Sequence, residues 1–138
     1  MLTFNLNIRT PEKEVFKGEV TKVKFSDETG ELTILPHHAS MTSTIDFSAL
    51  IFTKPDGTEE DYLIKRGIAM VYNKQNRVDI DVLECIKTGE ISPVTAEEYL
   101  KFVMDKLAKR QDLSKFQLDY LEEEKLVIEK QIGYLKKK

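Results

Sequence analysis

The chain has 138 residues, of which 41% are hydrophobic and 33% are charged, and its formal net charge is −3. This composition is typical of one folded domain, or of one domain with an appendage, and excludes a disordered chain. The small net charge gives no general attraction to nucleic acid or to acidic lipid. The single cysteine, Cys85, cannot form an internal disulfide, which favours a reducing compartment.

Two further absences concern membranes. No run approaches the roughly 20 apolar residues that a helix needs to cross a bilayer, so no direct membrane insertion is expected. The first residues also lack the basic stretch followed by an apolar one that is typical of a secretory signal. If the protein works at a membrane, we expect another subunit to hold it there.

Residues 1–86 show the alternation that is typical of β-strands. Apolar and polar residues alternate strictly over residues 3–9, as in a strand buried on one face. The same pattern over residues 77–82 places Asp79 on the water side, and Gly67 is expected where the backbone bends or approaches a neighbour. Many short strands separated by turns, without helices between them, predict an all-β N-terminal antiparallel sandwich or flattened barrel.

The periodicity becomes helical after a short linker. Residues 87–94 contain a glycine and a proline and are predicted to form this linker, which leaves residues 95–138 as the second part. This part begins with a predicted capping box, in which the side chains of Thr95 and Glu98 each bond the other's backbone amide. Apolar residues from Tyr99 onward recur at steps of three and four, as on one face of a helix.

A second helix is predicted from about Ser114 to Lys136, and a capping box of Ser114 with Gln117 opens it. Because only a short polar break separates the two helices, they are expected to form an antiparallel α-helical hairpin. Two helices bury little beyond one seam, so the hairpin is expected to be of low stability and to be a moving part. Its candidate partner-binding residues, apolar in a stripe or basic beside it, are Leu118, Leu121, Lys125, Ile128, Lys130, Ile132 and Leu135.

Motifs of enzymes and of metal sites are sparse. The six glycines are scattered, so no phosphate-binding loop is present, and no cofactor is expected. His37 and His38 are the only histidines, and as neighbours on a strand they would face opposite ways, so they could share a metal only from a loop. A small metal-dependent β-fold enzyme is therefore the least favoured interpretation. A β-sandwich binding module with an oligomerising helical appendage remains the main alternative to the interpretation that follows.

One segment resembles a known signature. From Gly30 to Ala39 the chain reads Gly-Glu-Leu-Thr-Ile-Leu-Pro-His-His-Ala. This is similar to the Gly-Glu-Leu-Gly-Ile-Leu-Pro-Gly-His-Ala signature of the epsilon subunit of bacterial F-type ATP synthases. Thr33 and His37 stand where the family usually has glycine. The order of a β domain followed by a helix pair is similar over the whole chain.

The resemblance implies a function and partners. It implies a non-catalytic rotor subunit of the central stalk, which couples the catalytic head to the membrane c-ring. The implied partners are the gamma subunit, the c-ring and the alpha and beta catalytic subunits, with no nucleic acid and with a monomer as the isolated state. The implied location is the cytoplasmic face of the bacterial cell membrane, as a peripheral protein.

The resemblance also implies roles for particular residues. Glu31 and His38 match signature positions that contact c-ring loops, so they are candidates for that contact here. The hairpin is the candidate contact to gamma and to the catalytic subunits, through which bacterial members inhibit ATP hydrolysis.

A nucleotide motif of the family is degraded in this chain. Many bacterial members have Ile/Leu-Asp-x-x-Arg-Ala at the start of the first helix, and that motif is associated with ATP binding. The matching stretch here is residues 91–96, in which Ser92 and Thr95 replace the acid and the arginine. Without these charged partners for ribose and phosphate, weak or no regulatory ATP binding is expected.

Overall fold

The computed structural model of the protein describes residues 2–27 and 29–136, and of residues 134–136 it describes the backbone. The chain divides into two compact units, residues 1–88 and 89–138. The strands of the first unit are β1 (Phe4–Arg9), β2 (Glu14–Val20), β3 (Lys22–Asp27), β4 (Gly30–Ile34), β5 (Met41–Thr53), β6 (Glu59–Tyr72) and β7 (Arg77–Lys87). The helices of the second unit are α1 (Pro93–Ala108) and α2 (Lys115–Lys136), with short 3₁₀ turns at Thr88–Glu90 and Arg110–Asp112.

All seven strands belong to one sheet, in the order β2-β1-β7-β6-β5-β3-β4. Neighbouring strands pair antiparallel with one exception among the described pairs, because β1 and β7 run parallel. These are the first and last strands of the unit, and no hairpin turn joins them and dictates opposite directions. The antiparallel sandwich predicted from the sequence therefore contains one parallel pair that local patterns do not reveal.

The sheet folds back on itself to enclose a core. The rings of Phe16 on β2 and Phe52 on β5 lie with centroids 4.4 Å apart, although three strands separate β2 from β5 in the sheet. Adjacent strands lie about 4.8 Å apart, so a flat sheet would separate these two strands by roughly 19 Å. The fully buried core residues that the folded sheet encloses include Leu6, Ile8, Val20, Val23, Ile34, Leu50, Phe52, Ile64 and Ile80.

The predicted alternation in β1 is confirmed, because Phe4, Leu6 and Ile8 are all buried. In β7 the prediction for Asp79 is wrong, since its side chain is only 6% exposed. The side-chain amide of Asn7 donates to Asp79 Oδ1 at 3.0 Å, and Nε of Arg77 lies 3.3 Å from the same oxygen. Asn7 on the adjacent strand β1 and Arg77 on β7 itself satisfy a carboxylate on the outer face and cover it from water.

β6 bends where Gly67 passes its two neighbouring strands. Arg66 adopts a φ of 54°, and the pairing on both sides skips it, so that Gly67 is opposite Ile45 on β5 and Val82 on β7. A Cβ atom on Gly67 would lie 2.1 Å from the Asp81 carbonyl oxygen and 2.6 Å from Val82 Cα. The predicted bend and close approach at this glycine are confirmed.

The first helix starts earlier than predicted. Ser92 is its N-cap, with Ser92 Oγ accepting the Thr95 amide at 3.2 Å, and Pro93 occupies the first turn. Proline is favoured at this position because its missing N–H would have no partner inside the helix. The capping role predicted for Thr95 is wrong, and the stretch predicted as a linker includes the last residue of β7, a 3₁₀ turn and the start of α1.

The second predicted capping box is confirmed. The Ser114 amide donates to Gln117 Oε1 at 3.0 Å, and the Gln117 amide donates to Ser114 Oγ at 3.1 Å. This reciprocal pair satisfies two backbone donors that the helix itself leaves unbonded. It fixes the start of α2 at the residue that the sequence pattern indicated.

We expect the substitution Gly67→Ala to lower the free energy of unfolding by about 3 kcal/mol, because the added methyl overlaps backbone atoms of β7 that cannot move without breaking strand pairing. Urea unfolding of the purified protein measures this change. Gly18→Ala is the matched control, since a Cβ there would approach only the far end of the Phe16 ring, at 3.2 Å. Equal losses for the two variants would contradict the close-approach argument.

Candidate functional site

The segment with the signature forms β4 and the loop that follows it, residues 35–40, here called the β4–β5 loop. The loop turns tightly, with the His38 amide donating to the Leu35 carbonyl at 3.2 Å. His37 is exposed and adopts a φ of 63°, in the left-handed region that residues other than glycine rarely enter. Glycine adopts this conformation without steric cost, so the glycine of the resembling signature fits the same loop geometry.

His38 is half-buried in the same loop. Its Nδ1 lies 2.8 Å from the Ala39 carbonyl oxygen, a contact in which the ring donates when the proton is on Nδ1. That arrangement leaves Nε2 as the atom that can accept a hydrogen bond from a partner. Among the described residues, no group of three or more His, Cys, Asp or Glu side chains is placed to hold a metal ion.

Glu31 lies on β4 opposite Ser26 of β3. Its carboxylate forms an ion pair with Lys24 Nζ at 2.7 Å, and its side chain is 23% exposed. An ion pair at this degree of exposure contributes little to stability, so a cationic or hydrogen-bonding partner can compete with Lys24 for the carboxylate. Glu31 and His38 thus belong to one strand–loop segment but have separate partners within the domain.

The turn before Glu31 is fixed by Asp27, whose contacts sequence reasoning missed. Asp27 Oδ1 accepts bonds from the Thr29 amide at 2.8 Å and from Thr29 Oγ1 at 2.6 Å. Asp27 Oδ2 accepts from Ser43 Oγ on β5 at 2.5 Å. Burial by itself would raise the pKa of Asp27, but the hydrogen bonds from Ser43 and Thr29 outweigh it and hold that pKa below its ordinary value.

A groove of about 460 Å³ lies on the outer face of the sheet, between the end of β1 and the middle of β6 and β7. Ile68 and Leu83 line it and are 43% and 59% exposed, respectively. Arg9 borders it and makes a two-pronged ion pair with Asp81, with N–O distances of 2.8 and 3.2 Å. The sequence gives no local indication of this apolar surface, because the two residues lie on different strands.

The helices of the second unit pack along a seam. Val103 and Leu107 of α1 and Ile128 and Ile132 of α2 are buried. The buried Tyr99 hydroxyl of α1 donates to Glu124 Oε2 of α2 at 2.7 Å, which joins the helices by a polar contact as well.

The seven hairpin candidates differ in exposure. Ile128 and Ile132 are buried, Leu118, Leu121 and Lys125 are half-buried, and Lys130 is exposed; the side chain of Leu135 lies outside those the structure describes. A second set of α2 residues that the sequence reasoning passed over is more than half exposed although large and apolar, namely Phe116, Leu126 and Val127. These residues are apolar surface on α2 that is available to a partner.

The two residues that replace the family's nucleotide-binding acid and arginine have structural partners. The hydroxyl oxygens of Ser92 and Thr95 lie 3.0 Å apart, and Ser92 caps α1. Neither side chain carries a charge that could pair with phosphate.

Of the helices described, none is long and apolar enough to cross a membrane.

Comparison with known families agrees with this architecture. The family model described as "ATP synthase, Delta/Epsilon chain, beta-sandwich domain" matches residues 3–87, so the first unit is a domain of the delta/epsilon β-sandwich class. An ATP synthase epsilon chain from the chloroplast of Anthoceros angustus is 32% identical over 108 residues, which cover 78% of this chain and 76% of that one. The chain belongs to the family of ATP synthase delta/epsilon chains.

Other relatives match over a shorter span. The ATP synthase epsilon chain of Clostridium botulinum (strain Eklund 17B / Type B) is 36% identical over 73 residues, and the match spans about half of each chain, 53% of this one and 54% of the relative.

Solved structures share the fold at low identity. A chain of the Euglena gracilis mitochondrial ATP synthase, in a structure described as OSCP/F1/c-ring, matches with a TM-score of 0.65 and 20% identity, over 88% of this chain and 74% of that one. A chain of the Tetrahymena thermophila mitochondrial ATP synthase, described as central stalk/c-ring, matches with a TM-score of 0.57 and 17% identity, over 96% of both chains.

We expect Asp27→Asn to lower the free energy of unfolding by about 1 kcal/mol at neutral pH, because it removes a charged acceptor of three hydrogen bonds. The pKa of Asp27 is lower in the folded protein than its ordinary value of 3.8. Its contribution to stability is therefore complete above that value and is lost as pH falls through the folded pKa. The difference between variant and parent should shrink in the same acid range.

Urea unfolding at neutral pH and below pH 3.8 measures both effects. Asp56→Asn is the matched control, because Asp56 makes the same local turn bonds to Thr58 without the bond to a neighbouring strand. If Asp27→Asn cost no more than this control, the contact with Ser43 would not stabilise the domain.

Proposed function

We propose that this protein is a rotor subunit in the central stalk of an F-type ATP synthase, where it couples the catalytic head to the membrane c-ring. One observation carries the proposal: the signature segment forms an exposed loop with a left-handed residue, at the end of a domain that matches the delta/epsilon model over almost its whole length. The matching Euglena and Tetrahymena chains come from structures described as containing a c-ring, which supports the same assignment.

Contact with the c-ring is proposed for the strand–loop segment. Glu31 offers a carboxylate whose present partner, Lys24, is itself 46% exposed and replaceable. His38 offers a ring nitrogen beside an exposed loop. Together they supply a carboxylate acceptor and a ring nitrogen for hydrogen bonding, which suits the polar loops of a ring subunit.

Contact with the gamma subunit is proposed for the outer groove. Ile68 and Leu83 form an apolar surface there, and the Arg9–Asp81 pair provides a polar border. An apolar centre with a polar rim is the usual anatomy of a stable protein interface. Torque could then pass from gamma through a rigid sheet to the ring-facing loop.

A regulatory role is proposed for the hairpin, which in an extended form would block ATP hydrolysis by the head. The helices pack along a seam of buried apolar residues and are joined by the Tyr99–Glu124 contact, so the extended form needs a partner surface that replaces these contacts. Phe116, Leu126 and Val127 supply apolar surface for a partner, and Lys125 and Lys130 supply positive charge for acidic loops of the catalytic subunits. The other proposed contacts are Leu118, Leu121, Ile128, Ile132 and Leu135.

The remaining features of the proposal follow from this role. The chain itself catalyses no reaction, binds no cofactor and gives no nucleotide response through Ser92 and Thr95. It is a monomer when isolated and a peripheral component at the cytoplasmic face of a bacterial membrane, held there by its partner subunits.

We expect Glu31→Ala and His38→Ala, combined in an ATP synthase reconstituted in vesicles, to reduce ATP-driven ion pumping severalfold while leaving ATP hydrolysis by the detached head unchanged. The reason is that the substitutions remove the proposed ring contacts and leave the gamma-facing groove intact. A fluorescent probe of the ion gradient and a coupled hydrolysis assay measure the two activities.

Glu12→Ala is the matched control for this experiment, since Glu12 is an exposed carboxylate in the β1–β2 turn, at the opposite end of β1 from the β4–β5 loop. Unchanged pumping in the double variant, or an equal loss in the control, would count against the ring contact.

We expect removal of residues 89–138, the whole second unit, to increase ATP hydrolysis by the assembled head severalfold, because no hairpin remains to enter it. Steady-state hydrolysis by heads reconstituted with full-length or shortened protein tests this. Comparable binding of both forms to gamma is the necessary control. Hydrolysis at the same rate with both forms would show that the hairpin is not inhibitory.

A further inference from the structure

The β6–β7 turn, residues 73–76, lies directly against the β4–β5 loop. The side-chain amide of Asn73 donates to two successive loop carbonyls, at 2.9 Å to His37 and at 3.1 Å to His38. The Asn73 backbone amide bonds the loop as well, donating to Ser40 Oγ at 2.9 Å. One residue of the turn therefore bonds the loop at three positions, His37, His38 and Ser40.

Asn76 joins the loop to the beginning of the chain. Its side-chain oxygen accepts the His37 amide at 2.9 Å, and its side-chain nitrogen donates to the Thr3 carbonyl at 2.7 Å. Its own carbonyl accepts the Asn5 amide at 3.1 Å. The loop, the β6–β7 turn and the segment entering β1 thus meet through a single asparagine.

These bonds explain how a histidine persists in a left-handed conformation. Both backbone polar groups of His37 are bonded to the turn, the amide to Asn76 and the carbonyl to Asn73. A strained residue of this kind is kept only where its surroundings over-determine the backbone. Asn76 is itself left-handed, at a φ of 49°, which asparagine tolerates better than most residues.

We propose that Asn73 and Asn76 are positioning residues for the ring-contact loop: they fix the backbone of His37 and thereby the direction in which His38 faces. This inference rests on the proposed function, since it concerns the same surface. It adds that the geometry of the contact is set from a turn that is more than 30 residues away in sequence and that needs no contact with the ring itself.

The chemistry requires carboxamide side chains. Asn73 must donate twice to carbonyl oxygens, and Asn76 must both donate and accept. A carboxylate of the same shape at position 73 would face two carbonyl oxygens with acceptors alone. Glycine at position 76 would keep the left-handed backbone while removing both side-chain bonds, so this substitution tests the bonds without disturbing the backbone conformation of the turn.

The experiment uses the variants Asn73→Ala and Asn76→Gly in the full chain. Hydrogen exchange of the His37 amide reports on the hydrogen bond that holds the loop backbone, and ATP-driven ion pumping by the reconstituted synthase reports on the ring contact. We expect exchange to be roughly tenfold faster in Asn76→Gly, because that amide loses its acceptor. Pumping should fall in both variants, while hydrolysis by the detached head stays unchanged.

Asp56→Ala is the matched control, because it removes similar turn bonds from the β5–β6 turn at the other end of β5 and β6. It should alter neither the His37 amide nor pumping, although it weakens a turn in the same domain. A fall in pumping of the same size in this control would mean that general stability, and not loop position, matters.

The outcomes separate this inference from the function on which it rests. Unchanged exchange of the His37 amide in Asn76→Gly would overturn the positioning role. Faster exchange together with normal pumping would also overturn it and would leave the ring contact standing, provided that His38→Ala impairs pumping. Normal pumping in the Glu31→Ala and His38→Ala combination as well would overturn the ring contact itself. If either variant fails to fold, the other still tests the proposal: Asn76→Gly removes the bond to the His37 amide and is tested by exchange and pumping, and Asn73→Ala removes the bond to the His37 carbonyl and is tested by pumping.

Discussion

Closure of a single sheet around one core is the constraint on which the rest of the first unit depends. The long strands β5 and β6 make this possible, because 13 and 14 residues are enough for each to belong to both halves of the folded sheet. The Phe16–Phe52 contact shows the two halves meeting. Gly67 lies where β6 passes so near to β7 that a Cβ atom would overlap its backbone, so this part of the sheet depends on a residue without a side chain.

The strands and the start of the second helix could be predicted from the sequence, because their causes are local. Alternation in β1 and the reciprocal cap at Ser114 each involve residues a few positions apart. The parallel pairing of β1 with β7 and the burial of Asp79 could not be predicted, since both depend on partners about 70 residues away. The prediction placed the cap of α1 at Thr95, whereas Ser92 caps the helix, at a position that the following proline favours.

The residues of the candidate site also divide into those that the sequence indicates and those that it does not. Glu31 and His38 came from resemblance to a signature and not from any chemistry that their spacing displays. Asp27, Asn73 and Asn76 are residue types common in turns, and the contacts that give them a further role reach other strands and loops, which the sequence does not show. A turn asparagine has the same appearance in a sequence whether its amide faces water or a neighbouring loop.

The apolar face of α2 has a consequence for how cells must handle this chain. Phe116, Leu126 and Val127 are each more than half exposed to water in the described protein, and exposed apolar surface favours association at high concentration. If the protein is the proposed rotor subunit, copies made in excess of their partners would be the ones at risk of unwanted association and of removal by proteases. Under that proposal, balanced production of the subunits matters for solubility, separately from any effect on activity.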